Sequence, residues 1–515
     1  MSKNIKLILG AGPKGNSLTV VPSFLLASLT VDAILGEVTL CQRRKKLDEM
    51  TKRQGLGDAY AATLSRVMAQ PRSKSKLGME ALMWVYHAER PLKIGELCHA
   101  LGVRGSVDLD IMDIPPMRTL LRCSLGLVTV EKSSSIVRLV HYTLREYLSH
   151  NPNLFPNPHS RIAEACLTYL NYQHVRGFSP ALSSVPPTAP FVEYASCYWG
   201  THAGLETTES VKILALRLLD GYDKHVSSKM LLLRGEGIWN PPLDQEGTPR
   251  GFTGLHGAAY MGCVEITVAL LELRKWDVQA TDFNGNTAIC WAARRGHEEV
   301  VRVLLELSDA NPDKGDRWGQ TPLSWAAENG HEGVVRTLLE RNDVNPNGAD
   351  EYGRTPLFGA AMNGHEMVVR RLLERGGVNP DKPDRSNRTP LSRAAQNRCE
   401  GVVRMLLELE EVDPNIADTE DGRTPLSFAA ENGHVVVVRM LLEREDVDPN
   451  TVDTEYGQTP LSFAAANGHE GVVKMFLERD DVNPNMADEW GLTPLSLATT
   501  YGHEGIIRLL QEPRI

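Results

Sequence analysis

The chain of 515 residues is short of the features that mark the common chemistries. Its eight cysteines, at positions 41, 98, 123, 166, 197, 263, 290 and 399, form no Cys-x-x-Cys pair. That speaks against a disulfide framework and a cysteine-based zinc motif, and it fits a reducing compartment. No long clean apolar run is present. The stretch Leu18–Gly36 is broken by Pro22, Ser23, Ser28 and Asp32, so no membrane-spanning helix is expected, although Lys3 and Lys6 precede it as in a leader. No Ser/His/Asp, Cys/His or paired-carboxylate constellation stands out.

A phosphate loop is also missing its key residue. Gly10-Ala11-Gly12-Pro13-Lys14-Gly15-Asn16-Ser17 follows the strand-like Ile5–Leu9. Asn16 stands where a lysine must reach the β- and γ-phosphates, and a neutral amide cannot supply that charge. Pro22 then falls where a helix should be opening. The sequence predicts no enzyme and no cofactor.

Charge is short of one sign in each half. Residues 1–252 hold 29 Lys+Arg against 22 Asp+Glu, a balance of +7, and residues 253–515 hold 26 against 43, a balance of −17. The acidic half would repel nucleic-acid phosphates and favour basic partners.

What is present is repetition. Thr-Pro-Leu-Ser-x-Ala-Ala-x-Asn-Gly-His-Glu-x-Val-Val-Arg-x-Leu-Leu-Glu recurs, with changes, from Thr253, Thr287, Thr321, Thr355, Thr389, Thr424, Thr459 and Thr493. A period near 34 residues means stacked helical units, none able to bury its own apolar face alone. In the third copy Thr321 is a helix N-cap and Pro322 fits the first helical position. Gly330 ends the first helix, and Val334, Val335, Leu338 and Leu339 form one apolar stripe on a second. Asn345-Pro346 breaks that helix, and Asp350-Glu351-Tyr352-Gly353 is turn chemistry before the next copy.

These copies closely resemble the ankyrin repeat, over residues 246–515. The family's His after Thr-Pro-Leu is kept only as His256, and serine or Phe358 replaces it in later copies from Ser324 onward. The fifth copy departs furthest, with Asn387 for the turn glycine and Asn397-Arg398-Cys399 for Asn-Gly-His. It is expected to be the weakest of the stack, or one shaped by a partner. The histidines His297, His331, His365, His434, His469 and His503 recur once per copy. At helix-packing distances of about 10 Å they cannot converge on one ion, so they are read as structural and no metal is predicted.

Residues 76–175 read as three helices and a two-stranded wing, the winged-helix order. Helices are predicted over Leu77–Ala88 and Ile94–Leu101 and from Met117. Strands are predicted over Leu127–Val130 and Ile136–Val140, and a helix over Tyr142–Leu148. The phrases Glu89-Arg90-Pro91-Leu92, Glu96–Leu101 and Val137–Leu148 resemble the winged-helix module that follows the NTPase core of fungal NACHT–ankyrin proteins, also known from GPI inositol-deacylase-like sequences. Residues 20–75 resemble the last helices of such a core, 176–245 the helical bridge to the repeats, and 1–19 are irregular. That resemblance implies several hundred further residues ahead, where about twenty are present. It suggests the C-terminal part of a NACHT–ankyrin protein, as a natural truncation or an incomplete gene reading. His141 aligns with a histidine that senses bound diphosphate in such NTPases; the alternative is a histidine that joins strand to helix.

The expected fold is therefore mainly α, an eight-copy solenoid behind a small α+β domain. The expected function is protein recognition in the cytoplasm or nucleus, with no nucleic acid and no membrane involved. Positions that vary between copies should carry specificity. Along the turn tips these are Phe283, Trp318, Tyr352, Tyr456 and Trp490. Along the first helices they are Arg294, Glu328, Met362, Gln396, Glu431, Ala466 and Thr500. Aromatic anchors among acids suit a partner with basic and apolar groups. The rival readings are a fragment of a NACHT switch in fungal non-self recognition or cell death, and a winged-helix DNA binder. The latter would use Arg43–Lys46, Arg72, Lys74, Lys76, Arg118 and Arg122, though its third helix offers only the last two as groove readers.

Overall fold

A computed structural model describes residues 56–105, 108–179, 186–235 and 249–512. The glycine-rich loop at 10–17, the apolar stretch at 18–36 and the basic run at 43–46 lie outside these. Two compact units are formed. The first runs to Leu218 and takes in His225–Gly237, and the second comprises Leu219–Lys224 and Ile238–Ile515.

In the first unit α1 (Leu56–Met68) packs on α2 (Arg72–His87). Helix α2 starts five residues ahead of the sequence expectation, so the boundary drawn at 75/76 falls inside it. The cause is Pro71, whose carbonyl accepts the Lys74 and Ser75 N–H groups at 2.8 and 3.0 Å and opens the helix. Helix α3 (Ile94–Gly102) is fixed at its start by Glu96, which accepts the Lys93 N–H at 2.7 Å and takes Arg90 in a two-pronged pair at 2.7 and 2.9 Å. Helix α4 (Met117–Cys123) leads to β1 (Val128–Val130) and β2 (Val137–Leu139), antiparallel with Val128 opposite Leu139. Lys93 makes a single antiparallel bridge to Ile136, just before β2. Helix α5 (Tyr142–Ser149) returns to pack on α1.

Helices α6 (Pro158–Leu170), α7 (Gln173–Arg176), α8 (Val192–Leu205), α9 (Glu209–Leu219) and α10 (Val226–Gly235) follow. The sequence separated 76–175 from 176–245, but α2, α6 and α8 share one aromatic core. The Trp84 ring lies 5.6 Å from Phe191 and 6.1 Å from Tyr194, and Phe191 lies 5.2 Å from Tyr169. Edge-on and offset aromatic contacts of this kind add to the burial of large apolar area.

The second unit is the repeated helix pair. Each first helix packs on the first helices of its neighbours, and each second helix on the second helices of its own. In the third copy these are Pro322–Glu328 and Glu332–Leu339. The Thr321 hydroxyl accepts the Ser324 N–H at 3.1 Å, and the same cap recurs at Thr355, Thr389, Thr424, Thr459 and Thr493. The alanine pair, Ala326-Ala327 here, is fully buried where the first helices meet. Gly330 has φ 76°, and a β-carbon there would lie 2.6 Å from His365 Nδ1 of the next copy. Glycine is thus required twice over, by backbone and by packing.

Candidate functional site

Two devices join the copies, and both use positions the repeat keeps. The first is an aspartate at each turn tip. Asp350 Oδ1 accepts the N–H groups of Tyr352 and Arg354 at 2.9 and 2.8 Å, while Oδ2 accepts from Arg354 Nε at 2.8 Å. Asp282, Asp316, Asp384, Asp418, Asp453 and Asp488 hold their tips in the same manner. Burial is the largest influence on several of these carboxyls and pushes Asp282 up to about 6. Tips are then laced to one another: Glu351 N donates to Trp318 O at 2.7 Å, and Arg385 N to Tyr352 O at 2.7 Å.

The second device is the recurring histidine. Nε2 of His297, His331, His365, His434, His469 and His503 donates to the carbonyls of Tyr260, Arg294, Glu328, Gln396, Glu431 and Ala466, at 2.8–3.0 Å. Burial is the main cause that holds His297 and His331 below the usual imidazole range, so they are neutral. In the fifth copy the histidine is Cys399, whose sulfur stands 3.8 Å from Met362 O. That copy also places Asn387 and Arg398 at φ 58° and 60°, where its neighbours have glycine.

The histidine contacts explain the variable first-helix positions. Arg294, Glu328, Gln396, Glu431 and Ala466 each give the histidine of the next copy a backbone carbonyl, and Met362 faces the Cys399 sulfur in the same way. The side chain at that position takes no part in this contact, and it can vary. Arg294 lies 4.2 Å over the Trp325 ring and 5.3 Å over Trp291. The Glu328 carboxylate accepts from Gln320 Nε2 at 2.8 Å, Gln396 Oε1 accepts from Arg393 at 2.8 Å, and Glu431 pairs with Arg423 at 3.0 and 3.1 Å.

The tip aromatics do not form one row. Trp318, Tyr352, Tyr456 and Trp490 occupy one register. Phe283 stands one residue earlier, in the place held by Arg317 in the next copy. The Arg317 guanidinium accordingly lies 5.4 Å from the Phe283 ring and 5.7 Å from Trp318. Arg354 lies 5.0 Å over Tyr352, which is 51% exposed. Tyr456 and Trp490 pack on each other at 5.2 Å, with Trp490 63% exposed. Guanidinium groups over ring faces add cation–π attraction. The sequence reading missed Arg317, Arg354, Arg393 and Arg423. The signal was there, because each stands at a tip or first-helix position whose residue type changes from copy to copy.

The acidic excess of this half is uneven. Glu408, Glu410, Glu411, Glu443, Glu445 and Asp446 lie at the ends of second helices and just beyond them. The tips and first helices of copies 2 to 6 carry arginines on aromatic rings, the last being Arg423 at 4.7 Å over Phe463, where Glu431 pairs with it, and copies 7 and 8 carry Glu455 and Glu489 at their tips.

In the first unit His141 caps α5. Its Nδ1 accepts the Thr143 N–H at 3.4 Å and lies 2.9 Å from the Thr143 hydroxyl, which meets Tyr60 Oη at 2.8 Å. Arg118 and Arg122 are exposed on α4. No helix among the described residues is long and apolar enough to cross a membrane.

The ankyrin-repeat family model matches overlapping segments that together cover residues 225–515, and the GPI inositol-deacylase winged-helix family matches residues 64–157. With more than half of its length matched, the chain belongs to the ankyrin-repeat family. Its repeats form a protein-interaction scaffold. No curated protein matches the chain.

Proposed function

We propose that the turn tips and first helices of copies 2 to 8 form a protein-recognition face. The observation that carries this reading is the division of labour at the variable position. Its carbonyl joins the stack and its side chain changes from Arg294 to Glu328, Met362, Gln396 and Glu431. The face is two-sided in charge. Copies 2 to 5 suit acidic and apolar groups through Arg294, Arg317 and Arg354 beside Trp318 and Tyr352. Copies 7 and 8 suit basic and apolar groups through Glu455 and Glu489 beside Tyr456 and Trp490. Aromatic and arginine anchors of this kind dominate interface energies.

The winged-helix match ahead of the repeats supports a second layer of the proposal. The stack serves as the recognition arm of a NACHT-type signalling protein, and the His141 region is a relic of its nucleotide-sensing part. ATP titration of the 515-residue chain tests that layer, and micromolar binding would contradict the view that this chain carries no working nucleotide site. A nucleic-acid role is not proposed, since Arg118 and Arg122 are the only cations that α4 offers.

Capture from an extract of the native cell tests the face itself. Trp318→Ala/Tyr352→Ala should lose the partner. Met367→Ser/Val436→Ser, on exposed second-helix positions, should keep it. The reverse pattern would refute the assignment of the face.

A further inference from the structure

Three donors in the first unit converge although they are far apart in sequence. Glu89 follows the end of α2, His159 opens α6, and His202 lies in the last turn of α8. One ligand atom from each lies within 4.8 Å of the other two. His159 Nδ1 and His202 Nδ1 face each other at 2.8 Å. His202 is fully buried, His159 is half-buried, and Glu89 is exposed at the mouth. The buried end is braced: His202 Nε2 lies 3.0 Å from Tyr194 Oη, which also accepts the Glu89 N–H at 3.1 Å. On the other side Glu206 accepts the Ser160 N–H at 3.0 Å, and the His87 ring lies 5.1 Å from that of His159.

We propose that Glu89, His159 and His202 form a binding site for a divalent transition metal, with zinc the fitting ion. Two imidazoles and one carboxylate are a borderline-hard N/O set that suits zinc, and three protein ligands leave the fourth position for water. Zinc–nitrogen bonds of about 2.05 Å in a tetrahedron set the two nitrogens about 3.3 Å apart. The two rings therefore need to part by only about half an ångström. Binding requires both Nδ1 atoms as lone pairs. His202 then donates Nε2–H to Tyr194, the outer hydrogen bond that metal-bound histidines usually make. His159 carries its proton on the outward Nε2. The exposed Glu89 carboxylate offers the way in. A bound ion would tie the end of α2 to α6 and α8, the helices that share the aromatic core.

The test uses the full chain, stripped with a chelator, reloaded with Zn(II) or Co(II), and freed of loose metal by gel filtration. One metal per chain should be retained. Co(II) should give the visible absorption of a four-coordinate site, and the metal should raise the Tm. His159→Gln should abolish one-to-one retention. Glu89→Gln, an exposed change that leaves the core untouched, should weaken Zn(II) affinity at least about tenfold, since lost outer partners alone cost that much. The Tm of each variant in chelator reports its folding, and if His159→Gln does not fold, Glu89→Gln decides alone. Absence of stoichiometric metal, or unchanged affinity in the folded variants, would overturn the proposal.

Discussion

In the repeat stack one histidine contact is made again and again, from His297 onto Tyr260 O through to His503 onto Ala466 O. In the first unit each polar contact is made once, as between Tyr194 and His202 or Arg90 and Glu96. The difference sets how damage spreads. A stack is a sum of units and nearest-neighbour interfaces, so a lost contact weakens one junction. A unit built around one aromatic cluster has no second copy of anything, and a lost contact reaches the whole of it.

The largest expected effect breaks that comparison open in the first unit. Trp199 is fully buried, and Trp199→Ala should cost about 3–5 kcal/mol. Calorimetry should show the first unit's transition collapse while that of the stack stays in place. Next comes Asp350→Ala, which leaves the Tyr352 and Arg354 N–H groups and the Arg354 guanidinium without their acceptor. It should cost about 2–3 kcal/mol. Hydrogen exchange should rise only at the tips of copies 3 to 5, and spread across the whole stack would contradict the nearest-neighbour picture.

A pH series should treat both units alike. Burial is the chief cause that pushes His225 in the first unit and His256 in the second down to about 4. A histidine with a lowered folded pKa contributes stability that is full above its unfolded value and lost as pH falls from about 6.5 towards 4. Each should cost about 2 kcal/mol at pH 5. Denaturant unfolding of His256→Gln at pH 7 and 5 checks this, and an unchanged pH slope would contradict it.

The smallest effects sharpen the comparison inside the stack. Cys399→His should restore the missing donor to Met362 O and stabilise the fifth copy by about 1 kcal/mol. Arg398→Gly should gain about 0.5 kcal/mol, because relief of the left-handed strain is offset by the greater freedom of glycine in the unfolded chain. Loss of stability in both would mean that the fifth copy is already adapted to its residues.

The helix pairs were legible because every copy makes the same contacts at a fixed separation, so period, caps and apolar stripe repeat together. Winged-helix order was legible from Leu77 onward, whereas polar Arg72–Ser75 was assigned to the preceding helical segment although it is the first turn of α2. The tip aromatics were readable as outward residues, yet the one-residue offset of Phe283 from the other four went unnoticed, because aromatic character hid the shift. Arginine partners of the rings were invisible to a pattern that sought aromatics and acids. The Glu89, His159 and His202 cluster could not be read at all, since its ligands come from three elements with no common spacing.

The most direct measurement is a hydrogen-exchange footprint of a captured partner on the full chain. Protection should appear on the tips from Asp316 to Gly353 and on the first helices Ala288–Arg295, Pro322–Glu328 and Pro356–Met362. Protection confined to the second helices, such as Glu366–Glu374 and Val435–Leu442, would contradict recognition by the variable face.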